Sequence, residues 1–224
     1  MKIPLSKRLQ RCADYIGLTG RVADIGCDHG YLGINLLSSG QAQSVIAADI
    51  RPMPLQAAME NARRFGFEQQ MEFFLSNGAA AIPRDFDVLV CAGMGADTIV
   101  SILENAPWLK NGSYRLILQC QSKTALLREY LNKNGFSICR ESALKDGRFL
   151  YTVMEVTYKQ EAPFTPGQCY FSPALAKEHT EENLAYYRQV ITRLERAVAG
   201  QKETADPFLK EALRELKENE YDNC

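Results

Sequence analysis

Apolar positions along this chain switch repeatedly between two spacings. Over residues 5–16, Leu5, Leu9, Cys12, Ala13 and Ile16 recur three or four apart among basic residues, and Gly17 and Gly20 close the run. That is the pattern of an amphipathic helix. Short, continuous apolar runs follow at 22–25, 44–49, 71–75, 86–91 and 114–120, and helix-period stretches stand between them at 31–37, 54–65, 96–105 and 124–132. Two last β-like runs, 136–143 and 149–158, flank Asp146-Gly147, a hairpin turn. Strands that alternate with helices predict a mostly parallel sheet with right-handed crossovers, and unbroken apolar runs such as VLVC and LILQC fit strands covered on both faces. The closing hairpin predicts one antiparallel strand at the end of a seven-strand sheet.

The pattern changes after Lys159. Pro163, Pro166, Gly167 and Pro173 mark a linker or strap. Leu175, Leu184, Tyr187, Ile191, Leu194 and Val198 then form the stripe of one long helix over 174–199. Gly200 and Pro207 bracket a break before a second helix at 208–216, so a helical hairpin is expected. These changes divide the chain into residues 1–159 and 160–224. The helical part is either an annex that stabilises the main sheet or a surface for a partner.

Composition narrows the classes. With 224 residues, 46% of them hydrophobic, the chain can hold one ordinary domain plus an appendage. A net charge of −1 gives no global basic signature, yet Lys2, Lys7, Arg8 and Arg11 stand in the first eleven residues without an acid. This is a basic arm for a polyanion or a solvated first helix. The seven cysteines (Cys12, Cys27, Cys91, Cys120, Cys139, Cys169, Cys224) include no C-x-x-C pair, and only His29 and His179 accompany them. That spacing argues against structural zinc, and no metal is expected. Thiols in apolar runs and the lack of an apolar stretch near twenty residues predict a cytoplasmic protein with no membrane span. A monomer is expected.

The candidate chemistry sits at strand ends. Asp24-Ile25-Gly26-Cys27-Asp28-His29-Gly30 joins the first strand to the next helix. Such a corner binds nucleotides, because glycine admits a ligand against the backbone and the helix start presents N–H groups. Asp28 stands where the dinucleotide motif G-x-G-x-x-G has its second glycine. A carboxylate there repels a pyrophosphate and suits an amine or sulfonium, which points to S-adenosyl-L-methionine. Asp49 closes the second strand, placed to accept both ribose hydroxyls. Asn77-Gly78 follows the third strand and is placed to meet an adenine edge. Gly93-Met94-Gly95 follows the fourth and permits close backbone approach. Gln119 closes the fifth. Asp24 or Asp28 is the partner for the cofactor ammonium. Taken singly, Asp28 is also readable as a helix cap and Asn77-Gly78 as a plain turn. His29 is assigned to the cofactor loop. Tyr31 faces either the substrate or the core. Cys27 and Cys91 are packing residues, since no general base accompanies them.

The segments SKRLQRCADYI (6–16), VADIGCDHGYL (22–32), AGMG (92–95) and RLILQ (115–119) resemble the bacterial tRNA (adenine-22-N1)-methyltransferase family, TrmK. The resemblance spans nearly the whole chain. It implies a Rossmann-like class I methyltransferase sheet with a C-terminal coiled-coil-like part, and methyl transfer from S-adenosylmethionine to an adenine N1 in tRNA. It places Asp24, Gly26, Asp28, His29 and Gly30 in the cofactor loop, Asp49 at the acidic end of strand two and Gly78 in the following turn, and it makes Asp28 important for activity. Two departures stand out. Gly93-Met94-Gly95-Ala96 replaces GMGG, and Leu118-Gln119-Cys120-Gln121 replaces LQPN, with Gln121 keeping an amide one methylene longer. Neutral N1 is a nucleophile, so proximity and orientation carry the reaction, and Asp28 is placed to steady the cation formed. The base must leave its stack to react. Lys7, Arg8, Arg11, Arg193 and Arg196 are candidates for phosphate contacts. A small-molecule methyltransferase, and a non-enzymatic nucleotide-binding module, are the alternative readings.

Overall fold

The computed structural model describes residues 3–201, 206–219 and 221; Lys2 of the basic arm and Cys224 lie outside them. Seven strands form one sheet in the order β3-β2-β1-β4-β5-β7-β6. The strands are β1 (Arg21–Ile25), β2 (Ser44–Asp49), β3 (Met71–Leu75), β4 (Val88–Met94), β5 (Arg115–Cys120), β6 (Phe136–Asp146) and β7 (Phe149–Tyr158). The first five pair in parallel, and β7 lies antiparallel between β5 and β6, as the hairpin at Asp146-Gly147 requires. From β1 the chain moves outward to β2 and β3, then returns to β4 on the other side. The reversal opens a crevice above the carboxyl ends of β1 and β4.

Helices α1 (Lys7–Ile16), α2 (Tyr31–Ser38), α3 (Pro52–Phe65), α4 (Ala96–Glu104) and α5 (Thr124–Lys133) cover the sheet. One core cluster gathers Ile99, Leu103, Leu116 and Leu127 on one face, and another gathers Ile16, Ile34, Val45 and Val90 on the other. This two-sided burial is why the central strands read as unbroken apolar runs. The fourth strand reaches further than its apolar run, to Met94, through an irregularity between Ala92 and Met94. Among the described residues no helix is long and apolar enough to cross a membrane.

The C-terminal part corrects one expectation. The strap folds into α6 (Pro166–Tyr170), and the long helix expected over 174–199 is two helices, α7 (Pro173–Ala176) and α8 (Glu181–Gln201). Polar side chains fix the break. Ser172 caps the start of α7, its hydroxyl accepting from Leu175 N, and at α8 Thr180 Oγ1 accepts from Asn183 N. The Asn183 amide donates to the carbonyls of Leu175 and Glu178 and accepts from Ala143 N in β6. A further helix, α9 (Pro207–Glu218), packs on α8, with the Tyr187 hydroxyl donating to the Leu216 carbonyl.

A buried ion pair ties these helices to the sheet. Arg128 on α5 and Glu141 on β6 meet at 2.7 Å with both side chains 0% exposed. Arg128 also donates to the carbonyls of Cys169 and Tyr170, and the Ser172 hydroxyl donates to Glu141. Burial alone would lower the guanidinium pKa, but the Glu141 carboxylate outweighs it and holds Arg128 protonated. Removing one partner leaves an uncompensated buried charge. Arg128→Met is therefore expected to cost about 3–5 kcal/mol, and Arg128→Met with Glu141→Leu much less than twice that. Urea unfolding midpoints of the two variants check this.

Candidate active site at the strand switch

Beyond β1 the chain turns through Gly26 and Asp28 into α2. Gly26 has φ 73°, and a Cβ there would fall 2.2 Å from the Met94 methyl. The methionine tip can swing aside, so the positive φ is the stricter demand. Asp28 takes φ 49°, which aspartate tolerates better than most residues. Its backbone N–H donates to Asp49 Oδ2 at 3.3 Å, and Arg51 N donates to Asp49 Oδ1 at 2.9 Å. The Asp49 carboxylate is thus oriented by backbone donors while each oxygen keeps lone pairs for a ligand.

A cavity of about 760 Å³ lies over these strand ends. The cofactor loop supplies Asp24, Gly26, Asp28 and His29 to its wall. Asp49, Asn77 and Gly78 line one side, and Gly93, Met94 and Gln121 another. Tyr31 and Arg8 complete the mouth. Ser76 pins the Asn77-Gly78 turn, donating to Gly78 O and accepting from Ala81 N.

Asp24 is the most constrained of these groups. Its side chain is buried, and among the described residues no donor pairs with its carboxylate. Burial first, then the Asp49 and Asp28 charges, push its pKa from 3.8 up to about 7. Buried polar groups normally have partners, so a carboxylate facing a cavity without one fits a cationic ligand group. The Cys27 and Cys91 thiols are pushed up by burial and by the Asp24 charge, which keeps them protonated packing residues. Among the described residues no group of three or more His, Cys, Asp or Glu side chains is placed to hold a metal ion.

Several residues singled out from the sequence stand elsewhere. Gln119 is fully buried and turned away from the cavity. Its Oε1 accepts from Gly93 N and its Nε2 donates to Cys120 O, so it shapes the loop rather than meeting a substrate. Gly30 packs against Ala58, and Gly95 caps α4. Arg11 donates to Ser142, and Lys7 is exposed on α1, away from the cavity wall. Arg8 lines the cavity but is also committed, pairing with Asp146 at 3.0 Å. Conversely, Asp97, Thr98 and Ser101 on α4 line the cavity and were missed. The signal was present: a helix that starts directly after the β4 loop presents its first turns to the crevice.

Strand order and an acidic, glycine-turned loop at the switch point define a Rossmann-like methyltransferase. The family model described as "Methyltransferase domain" matches residues 5–154. The tRNA (adenine(22)-N(1))-methyltransferase of Bacillus subtilis is 32% identical over 154 residues, 68% of this chain and 65% of that relative, so the chain spans just under two thirds of its length. The crystal structure of the B. subtilis m1A22 tRNA methyltransferase TrmK superposes with a TM-score of 0.81 at 28% identity, covering 97% of this chain and 96% of that one. A Streptococcus pneumoniae protein, named as a candidate tRNA (m1A22) methyltransferase and solved with S-adenosyl-L-methionine, gives 0.84 at 30% identity, covering 96% and 99%. The chain belongs to the methyltransferase-domain family and, within it, to the bacterial TrmK family.

The Asp24 shift has a measurable consequence without any ligand. A carboxyl whose folded pKa lies above its unfolded value takes up a proton on folding, so its contribution to stability falls as pH rises from about 4 to 7. The ionised form costs on the order of 4 kcal/mol by pH 7 and above. Asp24→Asn is expected to flatten that part of the pH–stability curve, measured by thermal or urea unfolding.

Proposed function

We propose that this chain transfers the methyl group of S-adenosylmethionine to N1 of an adenine in tRNA, as a monomer acting in the cytoplasm. The observation that carries the cofactor assignment is the unpartnered Asp24 carboxylate, buried beside Asp49 at the end of β2. When bound, the cofactor supplies an electrophilic methyl on a sulfonium. Asp24 takes the ammonium of its methionine part, which relieves the carboxylate of its unpaired burial. Asp49 accepts the ribose hydroxyls with its two oriented oxygens. Asn77 meets the adenine edge, and Gly78, Gly93 and Met94 close around the nucleoside. Sequence identity of 32% to the B. subtilis enzyme supports tRNA as the substrate and position 22 as the adenine.

Asp28 has a different duty. Its side chain is 61% exposed at the cavity mouth, 3.8 Å from His29 Nε2. There it faces the incoming base, where methylation leaves a positive charge that a carboxylate stabilises. Gln121 projects its amide near Gly93 on the same rim, in hydrogen-bonding reach of a base edge. The transfer requires no strong base, because the N1 lone pair is free at neutral pH.

Asp49→Ala is expected to weaken cofactor binding roughly 10- to 100-fold, the worth of hydrogen bonds to a charged group. Titration calorimetry with S-adenosylmethionine reads this directly, and wild-type affinity in Asp49→Ala would remove the ribose assignment. Asp28→Ala is expected to lower kcat for methyl transfer to tRNA by about 10²-fold while cofactor affinity changes little. Labelled-methyl transfer to bulk tRNA tests it, and a wild-type rate would show that Asp28 has no part in the reaction.

A further inference from the structure

A second cavity of about 400 Å³ lies where the loop after β5, the start of β7 and α8 meet. It adjoins the first. Gln121 lines both, and Arg8 of the first cavity lays its guanidinium over the ring of Tyr151 in the second, 5.1 Å from the centroid. The volume falls within the range of pockets that take small ligands, roughly 300–1,000 Å³.

Its chemistry is one-sided. Among the described residues, the charged side chains of its wall are Lys123, Arg128 and Arg193, and no carboxylate lines it. Arg128 is spent on Glu141, and Lys123 is held 2.7 Å from Asp97. Arg193 stands exposed on α8. Phe149 leaves 48% of its surface in solvent; the Arg148 guanidinium lies over one face of its ring, 4.9 Å from the centroid, and the Tyr151 ring stands tilted beside it at 6.1 Å, so a base would take the other face. An exposed aromatic face set among guanidinium groups is a platform for a base with a place for its phosphate beside it.

Resting on the RNA reading above, we propose that this groove binds the nucleotide next to the methylated adenine, its base stacked on Phe149 and its phosphate beside Arg193. The chemistry of the reaction creates the need for such a site. An adenine that presents N1 to the cofactor has left its stack, and its neighbour loses a stacking partner. Phe149 replaces that partner at a spot contiguous with the catalytic cavity. The groove also spans the sheet and α8, so the C-terminal helices contribute to substrate binding through the wall they supply.

The test is steady-state methylation of bulk tRNA by the full chain, with tRNA varied and cofactor saturating. Phe149→Ala is expected to raise KM for tRNA about tenfold with kcat within about twofold, the loss of one stacked base. Cofactor affinity, read by calorimetry, stays at the wild-type value and reports that the fold is intact. Phe149→Trp restores the low KM. Arg193→Gln lowers the slope of log K against log salt for tRNA binding by about one, as the loss of one phosphate contact does. Wild-type KM in Phe149→Ala and an unchanged salt slope in Arg193→Gln, with tRNA still methylated, would overturn the proposal and assign the groove to another class of ligand, such as a peptide. A wild-type enzyme that binds cofactor but methylates no tRNA would overturn the RNA reading, and this one with it.

Discussion

Three carboxylates converge on the end of β1. Asp24 is buried, Asp49 is buried beside it, and Asp28 stands at the mouth in a left-handed turn. Burial first, and then the like charges of Asp49 and Asp28, weigh on Asp24, whose pKa is pushed up to about 7. The rest of the sheet exists around this constraint. Parallel pairing of β1 with β2 and β4 brings the acidic strand ends to one crevice, and the apolar strands on both sides offer Asp24 no side-chain donor. A cationic ligand group at this corner would relieve the conflict, which is the ground for the ammonium partner proposed for Asp24.

The helical C-terminal part meets the same sheet through a different kind of charge. Arg128 and Glu141 neutralise one another completely out of solvent; the carbonyls of Cys169 and Tyr170 and the Tyr186 hydroxyl take the other guanidinium hydrogens, and the Ser172 hydroxyl donates to Glu141. Replacement by an apolar pair would serve stability as well, so the pair fixes geometry above all. It locks α6 and α7 against β6 and sets the wall of α8 opposite Phe149. The position of the groove beside the catalytic cavity follows from that lock.

Much of this was legible in the order of residues. Strand runs, their helical partners and the terminal hairpin follow from period and turn chemistry. The acidic strand ends Asp24 and Asp49 are visible because a carboxylate closing an apolar run has few structural reasons to be there. What escaped the pattern was set by individual polar side chains. The apolar stripe from Leu175 to Leu184 runs through the break between α7 and α8, and polar side chains interrupt it: the Thr180 cap of α8 and the bonds of Asn183 to Leu175, Glu178 and Ala143. Gln119 reads as a site residue because it is polar at a strand end. Its register opposite Ala92 and Val153 buries it, and the Gly93 N–H claims its oxygen. Arg8 and Arg11 read as free cations on a helix, but α1 lies on β6, where Asp146 and Ser142 engage them.

The proposed function joins two parts, an acidic corner that holds S-adenosylmethionine and an adenine N1 in RNA that receives its methyl group. Nucleoside analysis of tRNA after incubation with the full chain and labelled cofactor tests it most directly. Label is expected in 1-methyladenosine, and strongly reduced there in Asp28→Ala. Label confined to another nucleoside, or none in RNA while the cofactor binds well, would contradict it.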